Sequence, residues 1–573
     1  MGRKKKESTP PNQSKKTQNV IQFIIGLAIL LLLNFVGSFV FQRFDLTEEN
    51  RYSLTDATKE DLTELNDIVT IKVYLGGELP ADFERLQDAT REMLDEFRVY
   101  ADENIQYEFI DPSAKPNQEE RRAVYRELSD KGLQYSNIRS RDGDKATEQI
   151  IFPGALIIYR GQEYPVQLVK SQRGIPREIM VNNAIQQLEY ELMSTVRSVT
   201  KSSTKNVYFL RGNSEIPKEN LADIFNTLGE FYNVEWKKIE GKLDALKLAN
   251  ALVVAGPDSA LAEKDKYMID QFIMRGGKVL WLVEPVQANM DSIQKNSLTM
   301  GLPKDVNLSD QLFKYGIRLN PNFVTDLNSR RIPVVTGMMG NQPQQEFFPW
   351  FFAPFGLPAN NHPIVNSLDA VRTDFVSSID FVGNDSIKKT PLLQTSPYTK
   401  VLKAPSRISL NVLREAPDKR QYSQGPQVIA ALLEGSFESV FKNRIAPAVT
   451  KNPEFNFKEK SVPTAMVVVA DADIIRNRYN DKTEEYYALG YDRYANTTFA
   501  NKDFILNALN YLLDDDGLIN ARGKEFKIRL LDEQKAKREK LNWQITNVVF
   551  PILIILIFGV VHHLIRKRLY TKS

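Results

Sequence analysis

The chain has 573 residues, 42% of them hydrophobic and 26% charged, and its 75 basic and 72 acidic side chains leave a formal charge of +3. That near balance argues against a nucleic-acid partner, and the absence of cysteine removes disulfides, thiolate catalysis and thiolate metal sites together. The histidines are His362, His562 and His563, too few and too badly placed for a multi-histidine zinc centre.

In chain order, a basic tail over 1–19, with Arg3, Lys4, Lys5, Lys6, Lys15 and Lys16, precedes an apolar run over 20–41. As a helix rising about 1.5 Å per residue, such a run crosses a bilayer core of roughly 30 Å. The charges behind it are mixed, so the excess of Lys and Arg in front places the amino terminus in the cytoplasm. Its length exceeds the apolar segment of a signal peptide and no small-x-small cleavage signature closes it, which favours an uncleaved anchor. A second run over 545–565 is of similar length and leads into a basic tail at 566–573. Two crossings return the chain to its starting side, so both termini are expected in the cytoplasm of a bacterial cell, with the body periplasmic on the inner membrane.

The segment 45–203 alternates legibly. Strands are expected at 68–75, 105–110, 155–159 and 164–169, with helices at 83–100, 118–131 and 178–199. The order β-α-β-α-β-β-α is that of a thioredoxin-like domain, here a scaffold without CxxC. From 204 to 523, strands at 207–210, 234–239, 251–255 and 279–283 alternate with helices at 221–231 and 263–275, which implies a parallel α/β sheet covered on both faces. The run 465–470, followed by a helix at 502–513, is expected to add a further strand. An insertion over about 320–462 reads as irregular, with many prolines, and 524–544 reads as a charged connector.

Three places invite a ligand or partner. Asp471 and Asp473 directly follow an apolar strand, where α/β folds often place ligands and where two carboxylates can meet a hard cation; helix or turn capping is the plainer role. Arg211 and Asn213 close another strand in the same way. Trp350, Phe351 and Phe352 belong to an aromatic stretch over 345–365 that is either a binding surface or core. The phosphate-cradling GxxxxGK[ST], the dinucleotide fingerprint GxGxxG, the metalloprotease HExxH and the GxSxG elbow are all missing, so no catalytic residue, cofactor or metal is assigned and an enzyme is not expected.

Taken together, Arg51-Tyr52-Ser53-Leu54-Thr55, the run from Ile68 to Leu75, Gly276-Gly277-Lys278-Val279-Leu280, the stretch from Val467 to Asp473, and Gly517 to Glu525 give a resemblance across the whole chain. The chain resembles the GldG-like family of Bacteroidetes, auxiliary subunits, sometimes labelled substrate-binding, of an ABC transporter linked to gliding motility. The resemblance implies a non-catalytic subunit working with a separate polytopic permease and a separate cytoplasmic ATPase. It also implies that the central region is similar to class I glutamine-amidotransferase-like domains, here without their cysteine nucleophile. Two other readings stay open: a tethered periplasmic ligand-binding receptor, and a membrane-bound hydrolase using acidic residues, Asp471 and Asp473 foremost, or Ser/Lys chemistry.

Overall fold

The computed structural model describes residues 20–21, 23–32, 54–142, 145–170, 176–201, 205–288, 290, 292–293, 297–339, 342–383, 386–444, 456–514, 517–523 and 533–570. The chain divides into two compact units, 1–524 and 525–573.

The first unit holds two lobes. In the amino-terminal lobe, helix α1 (Asp56–Thr63) is capped by Thr55, whose side chain accepts from the Thr58 amide, and strand β1 (Val69–Val73) follows with its odd residues buried. Helix α2 (Ala81–Tyr100) turns Phe83, Leu86, Leu94 and Phe97 inward, and strand β2 (Ile105–Phe109) then lies parallel to β1. After helix α3 (Gln118–Asp130), strands β3 (Gly154–Tyr159) and β4 (Gln162–Gln167) close a tight hairpin through Arg160 and Gly161, both at positive φ, as such two-residue turns require. The sheet order is β2-β1-β3-β4, with β3 antiparallel to both of its neighbours. Helix α4 (Arg177–Thr200) covers it with Val181, Leu188, Leu192 and Val196. A further hairpin, Ser136–Asp142 with Lys145–Ile151, was not legible, because its residues are polar and show no alternation of burial-prone side chains.

The second lobe is built on a ten-stranded sheet. Strands β5 (Asn206–Arg211), β6 (Asn233–Lys238), β7 (Ala251–Ala255) and β8 (Lys278–Leu282) alternate with helices α5 (Ala222–Gly229) and α6 (Glu263–Met274). With β13 (Thr464–Val469) they run parallel in the order β6-β5-β7-β8-β13. Ala251 to Ala255 is buried at every position, as a central parallel strand with both faces covered must be. Helix α7 (Asn501–Leu513) packs on this sheet through Phe504, Ile505, Ala508 and Leu509.

The expectation of an irregular insertion is corrected here. Strands β9 (Ser329–Met339), β10 (Gln342–Pro358), β11 (Lys388–Gln394) and β12 (Val428–Gly435) continue the sheet antiparallel beyond β13, so the whole is mixed. Of the prolines that hid these strands, Pro349, Pro354 and Pro391 flank places where the ladder shifts register, since a residue without an N–H is tolerated at bulges, whereas Pro333 and Pro343 lie in regularly paired stretches.

One late segment ties the lobes together. A 3-10 turn, Leu518–Gly523, buries Leu518, Ile519 and Ala521 in the core of the amino-terminal lobe. Arg522 is buried beside them over the Tyr190 ring, and Asn366 donates its side-chain amide to the Arg522 carbonyl at 2.8 Å.

The second unit is helix α8 (Glu533–Tyr570), and among the described residues its stretch Arg538–Arg568 is the one helix long and apolar enough to cross a membrane. It starts earlier than the expected span and absorbs part of the connector. Of the expected first span, Phe23–Leu32 is an apolar helix and 33–41 lies outside the described residues, as does 524–532 of the connector.

Candidate functional site

The strands β8 and β13 are adjacent and parallel, so the residues that leave their carboxyl ends meet. Glu284 follows β8 and Asp471 and Asp473 follow β13; one oxygen from each lies within 4.8 Å of the others. Asp471 is buried and fully engaged: one oxygen accepts from the Asp473 amide at 2.8 Å, the other from the Asp374 amide at 2.9 Å. Burial, then the charges of Asp473 and Glu284, push its carboxyl well above the ordinary range, which favours a retained proton. Burial also raises Asp473 to about 6, opposed by Arg476 at 3.0 Å and assisted by Glu284 and Asp374. Glu284 faces Lys304, which is 3.1 Å from it and 3.2 Å from Asp258.

The insertion supplies the other half of the cluster. Asp374 takes Arg330 at 2.5 Å on one oxygen and Arg372 at 2.8 Å on the other. Burial works against its ionisation, yet the two guanidiniums outweigh burial and hold its carboxyl below the usual range. Arg330 also reaches Asp492 at 3.6 Å, and Asp492 accepts from the amides of Tyr494 and Ala495. Arg372 is fixed by Asn501, which donates to its carbonyl at 2.9 Å and accepts from its amide at 2.9 Å.

As a cation site the cluster fits poorly. Calcium takes roughly six to eight oxygens, whereas both oxygens of Asp471 are committed to backbone amides and Asp473 and Glu284 each have a basic partner. The arrangement instead locks the insertion onto the edge of the parallel sheet, through the Asp374 amide on Asp471 and the two arginines on Asp374.

The other expected positions lie apart from this cluster in role. The order β6-β5-β7-β8-β13 reverses direction between β5 and β7, the place where open α/β sheets usually bind ligands. Here that crevice is filled by its own turn. The Glu215 carboxylate accepts from the Gly212 and Asn213 amides, each at 2.9 Å, and from the Asn213 side chain at 3.1 Å. The Arg211 guanidinium donates to the Ile216 carbonyl at 2.6 Å, while the Ile216 side chain covers Gly256, whose positive φ and close neighbours leave no room for a Cβ. Arg211 and Asn213 therefore hold a turn. Trp350, Phe351 and Phe352 are buried within the chain, Trp350 and Phe352 against Phe375 and Phe351 against Tyr422, so the core reading replaces the surface one for these rings. Phe347 of the same stretch stays exposed.

Residues 204–508, more than half of the chain, match a family model described as an ABC-type uncharacterized transport system. The chain belongs to this ABC-transport auxiliary family. Residues 48–158 match a second model, described as a domain of unknown function. An uncharacterized protein of Borreliella burgdorferi is 22% identical over 568 residues, covering 96% of this chain and 99% of that protein. Among solved structures, the mmIFT52 N-terminal domain aligns with 54% of this chain and 97% of its own length at 13% identity, with a TM-score of 0.30.

For this family member, the sequence pointed to Asp471 and Asp473 of the cluster. Glu284 was missed although its signal is the one that singled out Asp471, an acid directly after a buried parallel strand. Arg330, Arg372 and Asp374 could not have been found, because only the long-range pairing of the insertion brings them to this edge, and Asp492 reaches it from a short hairpin after β13.

Proposed function

We infer that this chain is a non-catalytic, membrane-anchored accessory subunit of an ABC transport system, working with a separate permease and a separate ATPase. The family match over 204–508 carries the reading, and the presence of the apolar stretch Arg538–Arg568 in the same chain as a large folded body supports it. A non-enzymatic role is supported by the carboxylates at the sheet edge, which are held by arginines, a lysine and backbone amides. The body is read as periplasmic, on the charge asymmetry around the first apolar run. The order β2-β1-β3-β4 with β3 antiparallel supports a thioredoxin-like amino-terminal lobe, and the order β6-β5-β7-β8-β13 supports a flavodoxin-type sheet of the kind amidotransferase-like domains use. The matched description names transport, so the gliding link of the resemblance is not carried into this reading.

Cross-linking in intact cells followed by mass spectrometry tests it. Cross-links from the 533–570 region to a polytopic membrane protein and from the chain to an ATP-binding subunit are expected; cross-links confined to copies of the chain itself would remove the reading.

A further inference from the structure

The 3-10 turn Leu518–Gly523 follows the second lobe in sequence, yet its apolar side chains lie in the core of the first. Around it the lobes meet loosely. A cleft of about 430 Å³ lies between helices α4 and α7, lined by Tyr190, Glu191 and Ser194 on one side, Asn507 and Asn510 on the other, and Leu518 at the turn. Among the described residues, the polar contacts from α4 to the second lobe are long. Gln187 donates to the Asn366 carbonyl at 3.4 Å, Asn510 to the Tyr190 hydroxyl at 3.4 Å, and Arg197 lies 3.5 Å from Asp514. The Tyr511 ring, packed against both cores, adds apolar contact. Lobes joined by so open a seam are free to move relative to one another unless something ties them.

The turn is that tie, and its hold is mixed. Leu518, Ile519 and Ala521 are buried, and Asp514 accepts from the Gly517 and Ile519 amides at 3.1 and 2.8 Å. Arg522 works against them. Its side chain is 1% exposed and makes no ion pair with a described residue. Nη2 donates to the Asn366 carbonyl at 3.3 Å, while Nε and Nη1 have no hydrogen-bond partner among the described residues. The Tyr190 ring at 5.7 Å offsets part of that loss. A guanidinium taken out of water without a counter-charge or a full set of acceptors is unfavourable, so three side chains hold the turn in place and a fourth loosens it.

We propose that residues 518–523 are a latch between the lobes: the turn leaves the amino-terminal core as a unit while the parallel sheet stays folded, and Arg522 sets how readily it does so. The turn precedes helix α8 in the chain, so its release also lengthens the tether between the body and that helix. This rests on the fold and not on the accessory-subunit reading, and its failure would leave the cross-links that test that reading untouched.

The absence of native cysteine makes thiol labelling of the full chain in mild detergent a direct probe. Ala521 in the turn and Ala251 in β7 are both fully buried, and each is replaced singly by cysteine. Ala521→Cys should react with a soluble aromatic disulfide at least about a hundredfold faster than Ala251→Cys, because the latch opens at a lower free energy than global unfolding. Adding Arg522→Met should slow labelling of Ala521→Cys at least about tenfold and leave Ala251→Cys unchanged, since an apolar chain of similar length removes the buried unpaired charge. Equal labelling of the two thiols, or labelling of Ala521→Cys that is unchanged or faster with Arg522→Met, would overturn the proposal. The first comparison keeps Arg522 and decides the matter even where the methionine variant fails to fold.

Discussion

The Asp374 carboxylate is shared by two arginines, and its replacement gives a measurable contrast. Arg330–Asp374 and Arg318–Asp380 are both ion pairs at 2.5 Å, yet the first has side chains 11% and 14% exposed and the second 55% and 45%. An exposed pair contributes up to about 1 kcal/mol, because water screens it and two long side chains must be held still. Asp380→Asn should therefore cost at most about 1 kcal/mol. Asp374→Asn keeps an acceptor for one arginine but leaves the largely buried Arg372 without its hydrogen-bonded counter-charge and Arg330 with Asp492 at 3.6 Å, a change that costs about 3–5 kcal/mol when a buried pair is broken. Urea unfolding of the full chain in detergent, followed by tryptophan fluorescence, reads both; Trp350 lies in the core beside Phe375, next to the substituted position. The Asp374 contribution should also fade as pH falls. Its folded pKa is depressed, so the stability it adds is present above the ordinary carboxylate range and is lost as pH drops through the lowered value. Equal midpoints for the two variants would refute the argument that burial decides the strength of these pairs.

Asp473 behaves in the opposite sense. Its pKa is raised to about 6 from 3.8, so its contribution is full below the unfolded value and is lost as pH rises through about 6; wild type should lose about 1–3 kcal/mol relative to Asp473→Asn over that window, and parallel stability curves would contradict this. Ile519→Ala should cost about 2–4 kcal/mol and raise hydrogen exchange in β1 to β4, hundreds of residues earlier in the chain, because Ile519 completes that lobe's core; exchange confined to the carboxy-terminal segment would contradict it. Gly256→Ala should destabilise by about 1–3 kcal/mol, since φ there is +61° and a Cβ would stand 2.9 Å from that of Ala472. An unchanged urea midpoint would show that the turn has room.

Local periodicity accounts for what was legible. Strands β1, β2, β7 and β8 and helices α2, α4 and α6 fall within a few residues of their expected places, because each carries a clear 2.0 or 3.6 repeat and a stop signal such as Gly276. The antiparallel extension was hidden by its prolines, and the seam formed by Leu518 and Ile519 has no local signature at all. Sequence likewise placed Asp471 and Asp473 correctly at a strand end but could not show that Arg330, Arg372 and Asp374 arrive there from the insertion. At Arg211 and Asn213 the topology was right and the chemistry was taken up by Glu215, two residues on from Asn213.

The central claim is that this chain folds and anchors while other polypeptides convert energy. Affinity purification of the full chain in mild detergent, with ATP hydrolysis measured on the eluate, tests that most directly. A permease and an ATP-binding subunit should elute with it and the eluate should hydrolyse ATP, whereas the chain made in cells lacking those two should show none; elution alone, or ATP turnover by the chain unaided, would contradict the account.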